Sequence, residues 1–194
     1  MPESRGFDAN LRLYAQMQPN AASLAHLLSL QAALPPGARL VPHRQLHLTL
    51  IHFGKVLDVY RILAAATGIA LPAYEDQLTG YIARTEALLP ADSFRLDPLG
   101  FAGFGARGRT LVIEYLPTPE LASLHADLCA ELVRFLAACG IADTAEFMAG
   151  DPNFMHAAVL RPHITLARSY AGTLPDVPPV PVSLTPMPVV YPGR

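Results

Sequence analysis

The sequence predicts an α+β fold with two lobes, in which two antiparallel-rich sheets face a central cleft and helices pack outside. Segments with one apolar face, typical of strands, alternate with amphipathic helical segments, which favours antiparallel sheets over a doubly wound parallel one. The order strand, helix, strand occurs in residues 10–55, and a related order recurs in residues 94–170. Each half carries a strand that begins His-apolar-Thr-Leu, at His47 and at His163. We therefore expect a duplicated fold within a single domain, residues 1–194.

The first lobe is predicted to hold one helix between short strands. Asn20 is suited to cap this helix, because a side-chain oxygen at that position can accept a backbone N–H of the first turn. The helix should end at Pro35, Pro36 and Gly37. The predicted strands are Asn10–Met17, Arg39–Val41 and Leu46–Phe53, and the apolar stripe of the helix is Leu24, Leu27, Leu28 and Leu34.

The same patterns predict the helices and strands of the middle of the chain and of the second lobe. Residues 57–89 are predicted to form two helices interrupted at GIALPAY, and SFRLDPLGFAGFG and RTLVIEYL to form two strands around the turn GARG. A long helix begins after Thr118 and ends at Gly140, and a loop, AGDPNF, precedes the strand of His163. The tail, residues 172–194, holds seven prolines. Because proline cannot donate to a sheet, we expect at most an edge strand there, with VPVSL the segment best suited to pair.

The composition excludes several classes of protein. A net charge of −2 and a pI near 6.4 give no basic surface for a long duplex, so a nucleic acid would be contacted locally, at a terminus or as a nucleotide. No apolar run approaches the roughly 18 residues of a membrane helix, and the N-terminus lacks an apolar signal core. Cys129 and Cys139 are predicted to be buried and unpaired. We expect a cytoplasmic monomer without membrane attachment.

The repeated motif is the most specific signal in the chain. On a strand, alternate side chains share a face, so His47 lies beside Thr49 and His163 beside Thr165, with apolar neighbours facing the core. The composition gives about 0.06 matches to His-x-Thr-Leu by chance in one such sequence. A single copy would be interpreted as a histidine with a local hydrogen bond, whereas two copies favour a shared site.

The two motifs resemble the signatures of the 2H phosphoesterase superfamily, and the nearest branch is the LigT-like group of bacterial 2'-5' RNA ligases, or RNA 2',3'-cyclic phosphodiesterases. Gly54, at the end of the first motif strand, also fits, as do Arg168, five residues after His163, and the segment FRLDPLGFAGFG. The resemblance covers nearly the whole chain. It implies a bilobal α+β fold with pseudo-two-fold symmetry and a central cleft that needs no metal and no cofactor.

The resemblance also implies a reaction. Opening a 2',3'-cyclic phosphate requires a base to deprotonate water and an acid to protonate the departing ribose oxygen, and two imidazoles can share these roles near neutral pH. By analogy with the family, His47 is the acid, His163 is the base and the product is a 2'-phosphate. Thr49 and Thr165 could donate to the phosphate oxygens. With an RNA 5'-hydroxyl in place of water, the same opening of the cyclic phosphate would form a 2'-5' linkage.

Three further residues have open roles. Arg168 binds phosphate if the resemblance holds, yet it has the opposite strand parity to His163 and requires a bulge to share its face; otherwise it is a solvated cation. His52 takes a place where relatives often carry an aromatic ring. It could stack on a base or be a plain surface histidine, and Phe53 could partly replace the missing ring.

Other functions stay open at this level. The chain could be a non-catalytic module that binds nucleotides or RNA ends in the same cleft. A metal site at His47 and His163 is disfavoured, because no carboxylate or cysteine stands at ligand spacing near either histidine. The expected partners are RNA ends or small cyclic nucleotides, with a nucleotide such as ATP as a further candidate for the cleft.

Overall fold

The computed structural model of the chain describes residues 11–187 and 189–191. The predicted strand start at Asn10 and the last residues of the proline-rich tail lie outside this part. Within it there are five α-helices: α1 (Ala21–Ala32), α2 (Val56–Thr67), α3 (Leu71–Leu88), α4 (Pro119–Ala138) and α5 (Thr144–Gly150). The strands are β1 (Arg12–Pro19), β2 (Arg39–Leu40), β3 (Leu48–Lys55), β4 (Phe94–Leu96), β5 (Pro98–Phe104), β6 (Thr110–Tyr115), β7 (His163–Arg168), β8 (Val182–Pro186) and β9 (Val190–Tyr191).

All the strand pairs among the described residues are antiparallel, which confirms the predicted α+β class. The strand order is β4-β8-β1-β3-β7-β6-β5, with β2 paired to β7 and β9 to β1. The two predicted sheets are thus the two halves of one hydrogen-bonded sheet. They meet between β3 and β7, where Leu48 pairs with Ile164.

The sheet is strongly curved. Its edge strands β4 and β5 stand at opposite ends of the strand order, yet only Asp97 separates them in the chain. Consecutive Cα atoms are about 3.8 Å apart, so Leu96 and Pro98 lie within roughly 7.6 Å of each other and the two edges must approach. Helices α3 and α4 pack on the face of the sheet to which Phe53 points, and the motif residues line a cleft on the other face.

The helices begin where the sequence predicts. The Asn20 side chain accepts a hydrogen bond from the Ser23 backbone N–H at 2.9 Å, and the Thr118 hydroxyl accepts one from Leu121 at 3.2 Å. Gly68 ends α2 in the left-handed conformation, with φ of 74°, within the predicted interruption GIALPAY. The short helix α5 was not predicted from the sequence.

The apolar stripe predicted for α1 is partly wrong. Leu28 is 38% exposed, whereas the interior positions include two polar residues, Ser23 and Gln31. The Ser23 hydroxyl accepts from the Ser183 backbone N–H at 2.9 Å. The Gln31 amide donates to the carbonyls of Val41 and Leu166 at 2.8 and 2.7 Å. Hydrogen bonds to neighbouring strands thus place these polar groups inside, where polarity alone would not put them.

Two strand predictions also need correction. SFRLDPLGFAGFG forms two strands, β4 and β5, instead of one, because the chain passes from one edge of the sheet to the other at Asp97. β8 is not an edge strand but lies between β1 and β4. Its prolines bracket the strand, with Pro181 just before it and Pro186 as its last residue, so the ladder donors between them are intact.

The prediction that Phe53 stacks on a bound base is wrong. Phe53 is 1% exposed and faces the helices, with ring centroids 5.5 Å from Tyr81, 5.4 Å from Phe135 and 5.8 Å from Phe154. These aromatic rings join β3, α3, α4 and the segment before β7 into one core. No helix within the described ranges has the length and hydropathy needed to cross a membrane.

We predict that Phe53→Ala lowers the free energy of unfolding by about 3–5 kcal/mol, the usual cost of removing a buried aromatic ring. Chemical denaturation of the variant measures it. Leu99→Ala, at a side chain that is 65% exposed, is the control and should change stability by less than about 0.5 kcal/mol. Unchanged stability together with weaker nucleotide binding would instead show that the Phe53 side chain lies in the cleft.

Candidate active site

The pairing of Leu48 with Ile164 brings the two motifs together. Each of these apolar residues stands between a histidine and a threonine, and both are fully buried. Since side chains alternate along a strand, the flanking polar residues project to the opposite, inner face. In antiparallel register His47 then lies across from Thr165, and Thr49 across from His163. All four residues line one cleft of about 530 Å³.

The two histidines make equivalent hydrogen bonds, each to the carbonyl two residues before it in the chain. His47 Nδ1 lies 2.8 Å from the carbonyl oxygen of Gln45, and His163 Nδ1 lies 2.8 Å from that of Arg161. A carbonyl can only accept, so Nδ1 carries the proton in both rings. Nε2 is consequently the nitrogen of each ring that exchanges protons. The same hydrogen bond also fixes the orientation of each imidazole ring. A general acid or base must be held in a defined orientation to transfer a proton.

A β-bulge follows each motif at the same position. In the pairing of β1 with β3, Ala15 faces Ile51 and Gln16 faces Thr49, so Leu50 is the extra residue. In the pairing of β6 with β7, the corresponding extra residue is Leu166. Each bulge places two consecutive residues on the buried face and reverses the alternation of the strand beyond it.

The bulges decide which residues enter the cleft. His52 and Arg168 each stand five residues after a motif histidine, and both line the cleft because the alternation has shifted. The bulge that the sequence required for Arg168 is therefore present, and its exposed side chain stands at the end of β7 beside the motif residues. His52 occupies the equivalent place in the first half. A plain surface position for His52 is excluded, since the side chain is half-buried between two cavities.

His52 has a defined environment. Its Nδ1 lies 3.2 Å from the carbonyl oxygen of Asn153, and its ring meets the Tyr14 ring edge-on at 5.1 Å. Burial lowers the pKa of His52 below its ordinary value, the Asn153 carbonyl opposes this shift, and the charge of Arg12 adds to it. Burial at the wall of the cleft thus disfavours the charged form of His52.

A row of polar residues on β1 was missed by the sequence analysis. Arg12, Tyr14, Gln16 and Gln18 all line the cleft, beside the polar face of β3. The signal was present as strict alternation in RLYAQMQ, in which every second residue is polar. Among its described lining residues the cleft has three arginines, Arg12, Arg44 and Arg168, and no carboxylate.

A second cavity of about 780 Å³ adjoins the cleft and shares Thr49, His52 and His163 with it. The Phe104 ring lies on its wall, 4.7 Å from the His163 ring. The Arg161 guanidinium lies 4.0 Å above the centre of that ring, where it is held by Glu114 through contacts of 2.6 and 3.2 Å. The second cavity therefore has an aromatic wall and a neutralised cation, in contrast to the cationic cleft.

No group of three or more His, Cys, Asp or Glu side chains in the described part of the chain is arranged to hold a metal ion. Cys129 and Cys139 are free, as predicted, but Cys139 is buried and Cys129 is only partly buried. His43, the histidine nearest to the first motif, lies in a short 3₁₀ turn, is exposed and does not line the cleft.

Comparison with known proteins gives one family and several similar structures. The sequence model of the 2'-5' RNA ligase superfamily matches residues 19–177. The structure of TT0787 from Thermus thermophilus is 23% identical, covers 94% of this chain and 84% of that one, and has a TM-score of 0.54. Apo LigT of E. coli is 19% identical, with coverage of 95% and 98% and a TM-score of 0.55. These structures share the fold. No curated protein matches the chain.

We predict that His52 titrates below the ordinary histidine value of 6.5, because burial disfavours its charged form. As the pH falls, His52 is protonated in the unfolded chain before it is protonated in the folded protein. The free energy of unfolding should therefore decrease between a pH of about 6.5 and the lower pKa that His52 has in the folded protein. Histidine NMR signals, assigned with His52→Gln, measure the titration. Arg12→Gln should raise the pKa of His52 slightly. A pKa at or above 6.5 in the unmodified protein would contradict the assigned environment.

Proposed function

The chain belongs to the 2'-5' RNA ligase superfamily of LigT-like 2H phosphoesterases, and we propose that it opens terminal 2',3'-cyclic phosphates of RNA to 2'-phosphates without a metal. The observation that supports this most is the matched pair of histidines. His47 and His163 make the same Nδ1 hydrogen bond and line the same cleft, on either side of the junction between the halves of the sheet. Two like-oriented imidazoles suit a reaction that needs one acid and one base.

The proposed reaction is an in-line displacement at phosphorus. Neutral His163 takes a proton from water through Nε2, and the water oxygen forms a bond to phosphorus. The bond from phosphorus to the ribose 3' oxygen breaks, and protonated His47 gives its Nε2 proton to that oxygen. The product is a 2'-phosphate with a free 3' hydroxyl. Each histidine ends with the proton state of the other, and exchange with solvent restores the starting form.

The neighbouring donors stabilise the charge that gathers on phosphorus. The Thr49 and Thr165 hydroxyls, each beside a histidine on the inner face, donate to the two non-bridging oxygens. Arg168 lines the same cleft, and we propose that its planar guanidinium binds the same oxygens through two hydrogen bonds. The near-symmetry of the site gives donors on both sides of the phosphate.

Nucleotides are further candidate ligands of the cleft. E. coli LigT has been crystallised with 3'-AMP and with ATP, at TM-scores of 0.53 and 0.52 to this chain. We extend nucleotide binding, including ATP, to this chain as part of the proposal. With an RNA 5'-hydroxyl in place of the attacking group, the same residues would join ends through a 2'-5' linkage, which is the ligase activity named for the superfamily.

We predict that His47→Ala and His163→Ala each reduce hydrolysis of an RNA with a 2',3'-cyclic phosphate end by at least about 10²-fold, because each removes a proton-transfer group. Rates are measured with excess chelator, and the product isomer is identified by chromatography. The exposed His43→Ala is the matched control and should retain the full rate. Tight binding of cyclic-phosphate RNA by the unmodified protein without turnover would instead indicate a binding module.

We predict that Arg168→Gln lowers kcat/KM for the same substrate by about 10- to 100-fold, because a charged contact to the phosphate is lost. Arg39 is its cross-strand neighbour on β2, is exposed and does not line the cleft. Arg39→Gln removes the same charge nearby and should change kcat/KM by less than about threefold. Equal decreases in kcat/KM in the two variants would show that Arg168 contributes only to the overall positive charge near the cleft and makes no direct contact with the phosphate.

A further inference from the structure

We propose that Gln16 is a further catalytic residue, and that its side-chain amide donates a hydrogen bond to a non-bridging oxygen of the reacting phosphate. The inference rests on the proposed function, because the phosphate is taken to lie between His47 and His163. It adds a donor that belongs to neither motif, and it assigns that donor to the Thr49 side of the phosphate.

The first argument is the burial of Gln16 without a structural partner for its amide. The side chain lines the cleft and is only 7% exposed. Its backbone carbonyl accepts from the Met187 N–H at 3.1 Å, but no residue in the described part of the chain makes a hydrogen bond with its side-chain amide. Buried polar groups in folded proteins are normally hydrogen-bonded. An amide that has no such bond and faces a cleft is available to a ligand.

The second argument is the contrast with Gln31, the other buried glutamine among the described residues. Gln31 is 4% exposed, and its amide donates to the carbonyls of Val41 and Leu166 at 2.8 and 2.7 Å. Gln31 does not line the cleft. The two glutamines are therefore equally buried, but only the amide of Gln31 is explained by the fold.

The third argument is the register of β1 with β3. Gln16 pairs with Thr49, and the next printed pair along β1, beyond the bulge at Leu50, is Ala15 with Ile51. Paired side chains on neighbouring antiparallel strands project from the same face, and the strands lie about 5 Å apart. The Gln16 amide thus enters the cleft beside the Thr49 hydroxyl, on the side away from His163.

The other half of the sheet shows that this position can be filled without an amide. The equivalent residue on β6 is Val112, which pairs with Thr165 directly after the corresponding bulge and is fully buried. Further along β6, Glu114 pairs with His163 and is bound to Arg161. Since an apolar side chain fills the equivalent place on β6, packing does not require the amide on β1.

The chemistry of the reaction favours a donor at this place. The non-bridging oxygens of the phosphate can only accept, and they gain negative charge as the water oxygen bonds to phosphorus. A neutral N–H group directed at one of them stabilises the transition state more than the ground state. Gln16 would therefore act on the rate more than on substrate binding.

The kinetic test uses Gln16→Met, which keeps the length of the side chain and removes its amide. We expect kcat for an RNA with a 2',3'-cyclic phosphate end to fall by at least about tenfold, with a smaller change in KM. Gln16→Glu should lower kcat at least as far, because an ionised carboxylate cannot donate. Gln77→Met, the same substitution on α3 outside the cleft, should retain the rate. A rate retained by either variant of Gln16 would overturn the inference.

Chemical denaturation separates a contact with the substrate from a structural role. Gln16→Met should not lower the free energy of unfolding, whereas Gln31→Met should lower it, because two carbonyls lose their donor. A decrease for Gln16→Met as large as that for Gln31→Met would show that the Gln16 amide serves the fold, contrary to the inference.

Binding of adenosine 2'-phosphate distinguishes failure of this contact from failure of the proposed reaction, because binding needs no turnover. By calorimetry, Gln16→Met should weaken the Kd by about threefold or more. In NMR spectra, the side-chain N–H signals of Gln16, assigned by their loss in the variant, should shift when the ligand binds. Both results without any opening of a cyclic phosphate would refute the reaction and support the contact. An unchanged Kd with unshifted Gln16 signals would refute the contact, even in an active enzyme.

Discussion

Leu48 of β3 and Ile164 of β7 pair where the two halves of the sheet meet, and both side chains are buried on the outer face. This hydrophobic contact determines the position of everything opposite it. An antiparallel pair has local two-fold symmetry, so the residues on either side of the junction are brought to the inner face in equivalent places. A shift of one residue in the register would turn the histidines into the core. The buried Leu–Ile pair makes that shift costly and so protects the alignment of the site.

The pseudo-two-fold symmetry includes the residues next to the motifs but not the rest of the cleft. Both histidines use the second preceding carbonyl, and both strands carry a bulge at the leucine of the motif. Beyond the bulges the halves differ, because His52 lines the cleft on one side and the cation Arg168 lines it on the other. The flanking strands differ further, as β1 presents a cationic and amide row while β6 presents Val112 and Glu114. The motif residues are thus arranged symmetrically, whereas the side chains that flank them in the cleft are not.

The sequence could predict those features that depend on residues close together in the chain. The motif pairs, the caps at Asn20 and Thr118 and the antiparallel α+β class all follow from short-range patterns. Phe53 does not replace the aromatic ring missing at His52, because the bulge at Leu50 leaves Phe53 on the buried face and His52 in the cleft. No residue type in the sequence indicates that bulge. The same effect hid the place of Arg168. The row on β1 was missed because alternating polarity is equally typical of a strand that faces solvent.

In the proposed reaction, two imidazoles approach one phosphorus from opposite sides. A crystal structure with a nucleoside–vanadate complex, which imitates a five-coordinate phosphorus, tests it most directly. We expect vanadium between His47 and His163, with Nε2 of each ring within hydrogen-bond distance of a different apical oxygen. Vanadate bound away from the junction of β3 and β7, or both rings on the same side of the metal, would contradict it.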